Sequence, residues 1–514
     1  MLAIAESAVL TGVTAQPVRV EVRAEAGIPA FELVGLAETT VRESRVRVKA
    51  ALENVGIKIN EHRITVNLAP ADVRKNGSSF DLAIAIGTLV ALEQLPQTAI
   101  AGVLLLGELS LSGRVHALRG AVAHLVGARE RGVARAIMPL ANEEEASLVD
   151  GVDVGLAATL GEIVQALRGA EPLARPRRSD VLERRAWLVD DLADVRGQHG
   201  ARRALEVAAA GGHNLLMMGP PGAGKTMLAR RLPGILPSLT REERLEVLAI
   251  HGVAGLLGVH SVNERPFRAP HHTVSEFALV GGGEHVRPGE VSLAHHGVLF
   301  LDELAELRRS ALEALRQPLE DGAVTVCRMR ATTTFPARPM LVGATNPCPC
   351  GNRGDGTMRC TCAADAVRAY RRRLSGPLLD RLDVHVVLPR VELADLQGGA
   401  RGEASADVRA RVTRAREVQL ARFRAGETSA ATNAHLAQRD VERICALDTK
   451  TRSLLAAAVE RRGLSARGYG KVLRVARTIA DLAGVDPVRH ADVSEALAAR
   501  VLDRDLEGHP ASAA

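Results

Sequence analysis

The sequence predicts an α/β protein in three parts, and each part has its own pattern. The first part, up to about Ala170, shows strand-like alternation from Pro17 to Arg23 and from Arg63 to Leu68, followed by helical periodicity, which indicates an α+β fold. The middle part alternates short apolar runs with helical segments, the pattern of parallel strands covered by helices. The last part, from about Val408 to Leu506, is rich in Ala, Leu and Arg with few helix breakers and predicts a small helical bundle.

Two stretches of different composition mark the boundaries between these parts. Residues Glu171 to Asp191 are dense in charge and contain prolines, and Asp395 to Asp407 are rich in Gly, Ala and Ser. A chain of 514 residues has room for roughly three domains at about 150 residues each. We therefore expect domains at residues 1–170, 190–395 and 405–507.

Composition and charge exclude several classes of protein. Hydrophobic residues make up 46% and charged residues 25%, which is typical of globular proteins. The N-terminus lacks the basic region of a signal peptide, and no apolar run reaches the roughly 18 residues of a membrane span, so a cytoplasmic protein without membrane contact is expected. A net charge of +6 permits a polyanionic partner, and an aromatic content of only 2% favours contacts with phosphates over base stacking.

The middle part contains a phosphate-binding loop of the Walker A pattern, between a strand-like segment and a helix-forming one. Its residues are Gly219, Pro220, Pro221, Gly222, Ala223, Gly224, Lys225 and Thr226. Glycines allow backbone N–H groups to surround the phosphates, Lys225 neutralises the β- and γ-phosphate charge, and the Thr226 hydroxyl ligates Mg²⁺. ATP and Mg²⁺ are the cofactors expected here.

A second apolar strand, Gly297 to Leu301, ends in Asp302 and Glu303, as in a Walker B motif. Asp302 is expected to hold Mg²⁺ through water, and Glu303 to orient and deprotonate the attacking water. Alternatively both acids cap the next helix, but that interpretation does not explain why they follow a buried strand.

Three further polar residues follow these motifs in an informative order. Asn346 follows a third apolar strand, where its side chain can reach the γ-phosphate side of the site. Arg381 stands at the end of a short helix and can enter a neighbouring subunit's site, which requires an oligomer. Arg467 begins a helix in the last part and suits closure over the phosphates, with Arg474 and Arg477 as rivals; ordinary surface arginines are the alternative.

Four cysteines form two C-x-C pairs in a glycine-rich loop. They are Cys348, Cys350, Cys360 and Cys362. Because the sequence shows no secretion signal, disulfide bonds are not expected. Four thiolates at this spacing can close a tetrahedral Zn²⁺ site, and a reduced loop without metal is the alternative. Cys327 and Cys445 lie outside this cluster and are expected to be inert.

These motifs, together with Arg268 to Ser275, Gln317 to Gly322 and Asn346 to Gly351, resemble the magnesium-chelatase-like AAA+ family, and within it the YifB/ComM group. The resemblance covers nearly the whole chain. It implies an AAA+ P-loop ATPase core with a C-terminal helical lid, assembled as a homohexamer. It also implies DNA helicase and branch-migration activity in recombination or natural transformation.

The same resemblance assigns two elements to the central pore of a ring, an insert at about Val262 to Leu293 and a hairpin at about Val324 to Phe335. The DNA-contacting residues that it implies are Arg268, His271, His272, Arg328 and Arg330. Basic side chains there can hold phosphates without reading bases. Alternatively, Arg268 and the histidines only join the insert to the core.

The first part resembles the Lon-protease C-terminal fold, which is ribosomal-S5-like. Ser79 matches the Lon nucleophile, but the position of the general-base lysine falls on Val122. Without that base the serine is not activated, so a protease is not expected and the domain is interpreted as a DNA-binding or assembly module.

Two other functions stay open at this point. A chelatase- or MoxR-like ATPase would remodel a protein partner, and a switch-like ATPase would only scaffold recombination proteins. Stimulation of hydrolysis by DNA favours the DNA motor, and stimulation by a protein partner favours the remodelling ATPase.

Overall fold

The computed structural model describes most of the chain and groups it into two compact units. The described residues are 1–34, 39–57, 59, 61–71, 75, 79–177, 190–256, 264–283, 286–328, 331–354, 359–374, 376–391, 401–462 and 464–503. The first unit comprises Met1–Arg185, Arg241–Val262 and Cys327–Phe335. The second unit comprises Ala186–Thr240, Asn263–Val326 and Pro336–Ala514.

The strands are numbered in chain order. They are β1 (Leu2–Thr11), β2 (Thr14–Ala26), β3 (Ala30–Val34), β4 (His62–Ala69), β5 (Val103–Leu105), β6 (Glu108–Leu109), β7 (Val115–His116), β8 (Arg135–Pro139), β9 (Asp153–Ala157), β10 (Leu215–Met218), β11 (Phe267–Arg268), β12 (Gly281–Gly282), β13 (Arg287–Pro288), β14 (Val298–Leu301), β15 (Ala323–Arg328), β16 (Ala331–Pro336), β17 (Met340–Thr345) and β18 (Val384–Val387).

The α-helices are numbered in the same way. They are α1 (Thr39–Asn54), α2 (Asp81–Ala91), α3 (Ala121–Glu130), α4 (Glu143–Ala146), α5 (Leu160–Leu167), α6 (His199–Gly211), α7 (Lys225–Ile235), α8 (Arg241–Ala254), α9 (Glu276–Val280), α10 (Glu290–Leu293), α11 (Arg309–Ala314), α12 (Arg316–Asp321), α13 (Ala364–Arg372), α14 (Gly376–Leu379), α15 (Ser405–Arg424), α16 (Gln438–Ile444), α17 (Thr449–Arg462), α18 (Ala466–Leu482) and α19 (His490–Ala498). Short 3₁₀ helices lie at Gln97–Ala99, Leu140–Asn142, Leu192–Asp194, Leu304–Glu306, Asn433–His435 and Val501–Asp503.

A seven-stranded mixed sheet, in the order β3-β4-β2-β1-β5-β8-β9, forms the centre of the first unit. β2 pairs antiparallel with both β1 and β4, and the remaining neighbours pair parallel. The alternation read from Pro17 to Arg23 buries Val18, Val20 and Val22 on one face of β2, as a period of two requires. Every residue of α2 is buried, and the helix contacts β1 and β2 of this sheet, which explains its mostly apolar sequence.

The second unit is built on a five-stranded parallel sheet in the order β11-β14-β17-β10-β18. β10, β14 and β17 are buried along their whole length, because helices cover both faces of such a sheet. Parallel strands bring their carboxyl ends to one edge, where ligand sites of α/β proteins form. The residues that follow these three strands therefore lie close together, as the sequence predicted.

The C-terminal part is helical, as predicted, from α15 to α19. Ser465 begins α18 as an N-cap, because its Oγ accepts a hydrogen bond of 3.1 Å from the Gly468 N–H. Within the described residues, no helix is both long and apolar enough to span a bilayer.

One helix from the middle of the sequence packs with the first unit. α8 contributes Leu245, Leu248 and Ala249 to a core that also contains Val122 of α3. A domain boundary at residue 190 therefore does not separate the two units, because α8 follows that boundary in sequence and still belongs to the first unit.

Candidate nucleotide site and cysteine cluster

The Walker A loop joins β10 to α7 through a backbone that only glycine adopts easily. Gly222 and Gly224 have φ angles of 78° and 89°, in the left-handed region. A Cβ on Gly219 would stand 2.7 Å from the carbonyl oxygen of Leu388, so a side chain there does not fit. The N-terminus of α7 follows at once, and its N–H groups and dipole favour an anion in the loop.

The Lys225 ammonium is held inside this loop. It donates to the carbonyl oxygens of Gly219 at 2.6 Å and Pro220 at 3.0 Å, and to Oδ1 of Asn346 at 3.1 Å. Burial lowers the pKa of Lys225, while the carboxylates of Asp302 and Glu303 oppose that shift. The structure thus brings Asn346 to the lysine of the phosphate loop, where the sequence predicted a residue on the γ-phosphate side.

Thr226 and Asp302 meet at the end of β14. The Thr226 hydroxyl donates to Oδ2 of Asp302 at 2.7 Å. A hydroxyl and a carboxylate are hard oxygen ligands, and Mg²⁺ in nucleotide sites is bound by one or two such groups together with phosphates and water. The donor set therefore fits the predicted Mg²⁺.

Glu303 has a strained backbone and an engaged carboxylate. Its φ of 50° lies in the left-handed region, which is unusual for a residue other than glycine and concentrates at functional sites. Its side chain makes no capping bond to the 3₁₀ helix that follows, so the capping interpretation finds no support. Instead its Oε2 lies 2.9 Å from Nδ1 of His272.

The predicted insert is held to its own unit by polar contacts. Arg268, on β11, donates to both carboxylate oxygens of Glu290, at 2.6 and 2.8 Å. His271 Nδ1 lies 3.0 Å from the Thr273 hydroxyl, and its ring centroid lies 4.1 Å from that of His272, with the two planes tilted by 34°. The contacts of Arg268 and His271 lie within the insert, and only the pair of His272 with Glu303 joins it to the core. The contact between His272 and Glu303 was not foreseen, since no local pattern links the two positions.

Arg381 and Arg467 line one cavity of about 860 Å³ in the second unit. Arg381 forms an ion pair with Glu320, and its side chain is 10% exposed. None of the described residues lining the cavity belongs to the Walker A loop. The two arginines thus line one cavity, and Lys225 is not among its described lining residues.

The two alternatives to Arg467, Arg474 and Arg477, form hydrogen bonds within the C-terminal helices and their loops. Arg477 is buried and donates to the Asp481 carboxylate and to the Val485 carbonyl. Arg474 donates to the carbonyl of Leu436 through two nitrogens, at 3.0 and 2.8 Å. Of the three, Arg467 has the position at the start of α18 that suits a phosphate contact.

The four clustered cysteines converge after β17. All four sulfur atoms lie within 4.8 Å of one another, and Cys348 Sγ is 3.4 Å from that of Cys350 and 3.8 Å from that of Cys360. Tetrahedral Zn²⁺ with Zn–S bonds of about 2.3 Å requires sulfurs about 3.8 Å apart, so the donor set fits zinc. A hydrogen bond from the Asn352 backbone lowers the pKa of Cys350 to about 6, with contributions from Cys362 and Cys348.

The cysteine loop also packs on the Walker A loop. A Cβ on Gly351, whose φ is 81°, would stand 2.7 Å from Cδ of Pro221. The remaining cysteines differ: Cys327 is exposed, and burial raises the pKa of Cys445 to about 12, which keeps that thiol protonated. Zinc in the cluster would thus stiffen a segment that touches the phosphate loop directly.

The serine matched to the Lon nucleophile has no lysine at the expected partner position. Val122 is fully buried in α3, within an apolar core. Lys75 is also buried, and its ammonium donates to the carbonyl of Pro70. The position matched to the general base is thus a buried apolar side chain.

Not all predicted residues are described. β15 ends at Arg328, whose side chain is not described, and Arg330 lies outside the described residues. Parts of the insert, at 262–263 and 284–285, also lie outside them.

Three family descriptions match this chain. Residues 191–396 match "Magnesium chelatase, subunit ChlI", residues 20–142 match "Subunit ChlI of Mg-chelatase", and residues 402–500 match "Magnesium chelatase, subunit ChlI C-terminal". The matches span both compact units.

Individual relatives differ in how much of the chain they match. The chain is 44% identical over 513 residues to the competence protein ComM of Haemophilus influenzae, covering 98% of this chain and 99% of that protein. It is 42% identical over 507 residues to YifB of Escherichia coli K12, covering 98% of each. A peroxisomal Lon protease homologue of Caenorhabditis briggsae is 32% identical over 130 residues, which cover 24% of this chain and 17% of that protein.

Proposed function

Because the chain belongs to the YifB/ComM-type magnesium-chelatase-like AAA+ family, we propose that it is a ring-forming ATPase that moves DNA. Family membership suggests ATP hydrolysis with Mg²⁺. The observation that carries the proposal is the meeting of the Walker A loop, Asp302, Glu303 and Asn346 at one edge of the parallel sheet.

Each residue of this cluster has one task in the proposed reaction. Lys225 neutralises phosphate charge, and Thr226 and Asp302 hold Mg²⁺, which would screen the charge between the β- and γ-phosphates. Glu303 orients the attacking water and accepts its proton. The Asn346 side chain reaches the γ-phosphate side of the site. This division of labour separates binding by Lys225 from turnover by Glu303.

The cavity containing Arg381 and Arg467 supports completion of each site by a neighbouring subunit. Both arginines line this cavity, and none of its described lining residues belongs to the Walker A loop. A neighbour's triphosphate here would meet Arg467 and, in exchange for Glu320, Arg381; arginines supplied in trans stabilise phosphoryl-transfer transition states. We infer a homohexameric ring, as the family resemblance implies.

The DNA part of the proposal depends on the hairpin more than on the insert. Arg268 and His272 are engaged by Glu290 and Glu303, whereas Arg328 and Arg330 stand in the sequence between the body of β15 and the start of β16. The relative named a competence protein supports a competence-related role. We propose that this role is work on DNA in recombination or transformation, in the cytoplasm. Phosphate contacts from these two arginines would be independent of sequence.

Zinc is proposed for the cysteine cluster, as a structural ion that supplies rigidity. Its four thiolates would hold the metal without an open coordination position, as structural zinc sites do. Contact between Gly351 and Pro221 would then transmit that rigidity to the phosphate loop.

The decisive experiment is steady-state ATP hydrolysis by the full chain with single-stranded, duplex or branched DNA, or with none. Stimulation by DNA, greatest for branched DNA and lost at high salt, is expected of a DNA motor. Hydrolysis that is indifferent to every DNA at low salt would instead favour the protein-remodelling alternative, for which co-purifying partners should stimulate turnover.

A further inference from the structure

The Asp383 carboxylate occupies a junction between the last strand of the parallel sheet and the C-terminal helices. Asp383 follows Arg381 by two positions and directly precedes β18; its side chain is 9% exposed. Its Oδ1 accepts from the Lys471 ammonium at 2.6 Å, and its Oδ2 accepts from the Asn214 backbone N–H at 3.0 Å. The pair with Lys471 is thus a largely buried ion pair.

Asn214 extends this junction to the nucleotide strands. It directly precedes β10, which leads into the Walker A loop. Its Nδ2 donates to the Arg381 carbonyl at 2.9 Å, and its Oδ1 accepts from the Leu341 N–H of β17 at 2.8 Å. One side chain therefore joins the turn of Arg381 to β10, which leads into the Walker A loop, and to β17, which Asn346 follows.

Lys471 extends the junction in the other direction, to Arg467. The two residues lie four positions apart on α18, which places them on one face of the helix. Both line the cavity that Arg381 also lines. The ion pair with Asp383 consequently fixes the helix face that carries Arg467 next to the turn that carries Arg381.

We propose that Asp383 and Lys471 are positioning residues of the ATPase: their ion pair holds Arg381 and Arg467 together on the wall that meets a neighbouring subunit's triphosphate. This inference rests on the proposed completion of each site in trans. It assigns Asp383 and Lys471 a role that they exercise through the two arginines.

The energetics of buried charge favour this role over a purely stabilising one. Replacing a buried ion pair by apolar residues is often neutral for stability, because desolvation offsets the attraction. Burial alone would raise the pKa of Asp383, but the Lys471 charge, with a contribution from His213, whose Nδ1 is 3.7 Å away, holds it below its ordinary value. The carboxylate stays charged, and its directional bonds specify geometry.

The test uses Lys471→Met in the full chain, with Lys471→Arg as the conservative variant. We expect kcat for ATP to fall roughly 10- to 100-fold in Lys471→Met, since small displacements of catalytic groups cost rates of that order. The dissociation constant for nucleotide should change less than about threefold, because Lys225 is untouched. Lys471→Arg retains the charge and should keep more of the turnover.

ATP hydrolysis by mixed rings distinguishes a positioning role of Lys471 from a simple loss of stability. Lys471→Met subunits keep an intact Walker A loop, and Lys225→Ala subunits keep intact arginines, so a mixture should turn over faster than either variant alone. The matched control is Arg422→Met, which breaks another buried pair, between Arg422 and Asp481 at 3.0 Å. That variant should lose stability while each folded ring turns over at the parent rate.

The outcomes separate this inference from the proposed function. Arg381→Ala is measured in parallel, alone and mixed with Lys225→Ala. If Arg381→Ala is rescued in mixed rings and Lys471→Met is not, or if Lys471→Met turns over at the parent rate, the positioning role is wrong. If Arg381→Ala itself hydrolyses ATP at the parent rate, completion in trans is wrong, and this inference fails with it.

Discussion

Single residues at the nucleotide site show how the binding and turnover steps are divided. Lys225 is surrounded by carbonyl oxygens of its own loop, which a triphosphate would replace as its partners. Glu303 has one carboxylate oxygen on His272 and a backbone in the left-handed region. In this arrangement, the carboxylate must give up the imidazole or use its other oxygen to accept a proton from water.

Lys225→Ala and Glu303→Gln should therefore fail at different steps. The first removes the charge that binds phosphate, so nucleotide affinity should be lost. The second removes only the base, so ATP should still bind while turnover falls by about 100-fold or more. Equilibrium binding of a fluorescent ATP analogue and single-turnover hydrolysis measure the two effects; parent-rate hydrolysis by Glu303→Gln would refute the Walker B assignment.

Arg268→Ala tests whether that arginine serves the fold. Its loss leaves the Glu290 carboxylate, only 20% exposed, without its bidentate partner, and the free energy of unfolding should fall by about 1–3 kcal/mol. Chemical denaturation measures this cost. The control is Arg368→Ala, whose partner Asp365 is 89% exposed and whose loss should cost under about 0.5 kcal/mol.

DNA affinity at low salt should be unchanged in Arg268→Ala, since Glu290 already occupies its guanidinium. If a folded Arg268→Ala variant loses DNA binding, Arg268 is a DNA-contacting residue after all.

Among the structural elements, the cysteine loop is closest to the nucleotide. It follows β17 directly after Asn346, and Gly351 contacts Pro221 of the Walker A loop. An element that is anchored by four thiolates and touches the phosphate loop links metal binding to nucleotide affinity.

Purified protein should contain about one zinc per chain, and Cys348→Ser should release it. Without the metal the loop loses its anchor, so the melting temperature and ATP affinity should both decrease. Metal analysis of the purified chain and nucleotide titration measure these effects. Cys445→Ser, outside the cluster, should retain the zinc; a metal-free preparation with full activity would contradict the proposal.

At the scale of the whole molecule, the proposed motor couples hydrolysis between subunits to movement of DNA. The nucleotide cluster and the cavity of Arg381 occupy different places in the second unit, as expected when each subunit contributes to two sites. ATP should therefore promote ring assembly, which sedimentation with and without nucleotide detects.

Reversing the charge of both hairpin arginines, Arg328→Glu with Arg330→Glu, should abolish unwinding of forked DNA. Ring assembly and basal hydrolysis should persist, since the substitutions remove phosphate contacts only. A control with the same change in net charge reverses Arg368 and Arg439, whose side chains are 58% and 83% exposed. Strand displacement at the parent rate by the hairpin variant would remove the helicase proposal.

The sequence by itself determined the features that depend on short segments. Glycines at fixed spacing form the Walker A loop because only they adopt its left-handed φ angles, and fully apolar runs form the parallel strands because both faces of that sheet are covered. Since those strands are parallel, the order of motifs along the chain was enough to bring Lys225, Asp302 and Asn346 together.

Only the tertiary structure decided the contacts between side chains far apart in sequence. His272 reaches Glu303, Lys471 reaches Asp383, and α8 packs against α3, and no local periodicity encodes any of these pairs. Their partners are set by how complete elements pack, because a side chain's neighbours across an interface depend on the position and rotation of both elements. For the same reason, the cysteine spacing predicted a metal site, while its contact with the phosphate loop emerged from the fold.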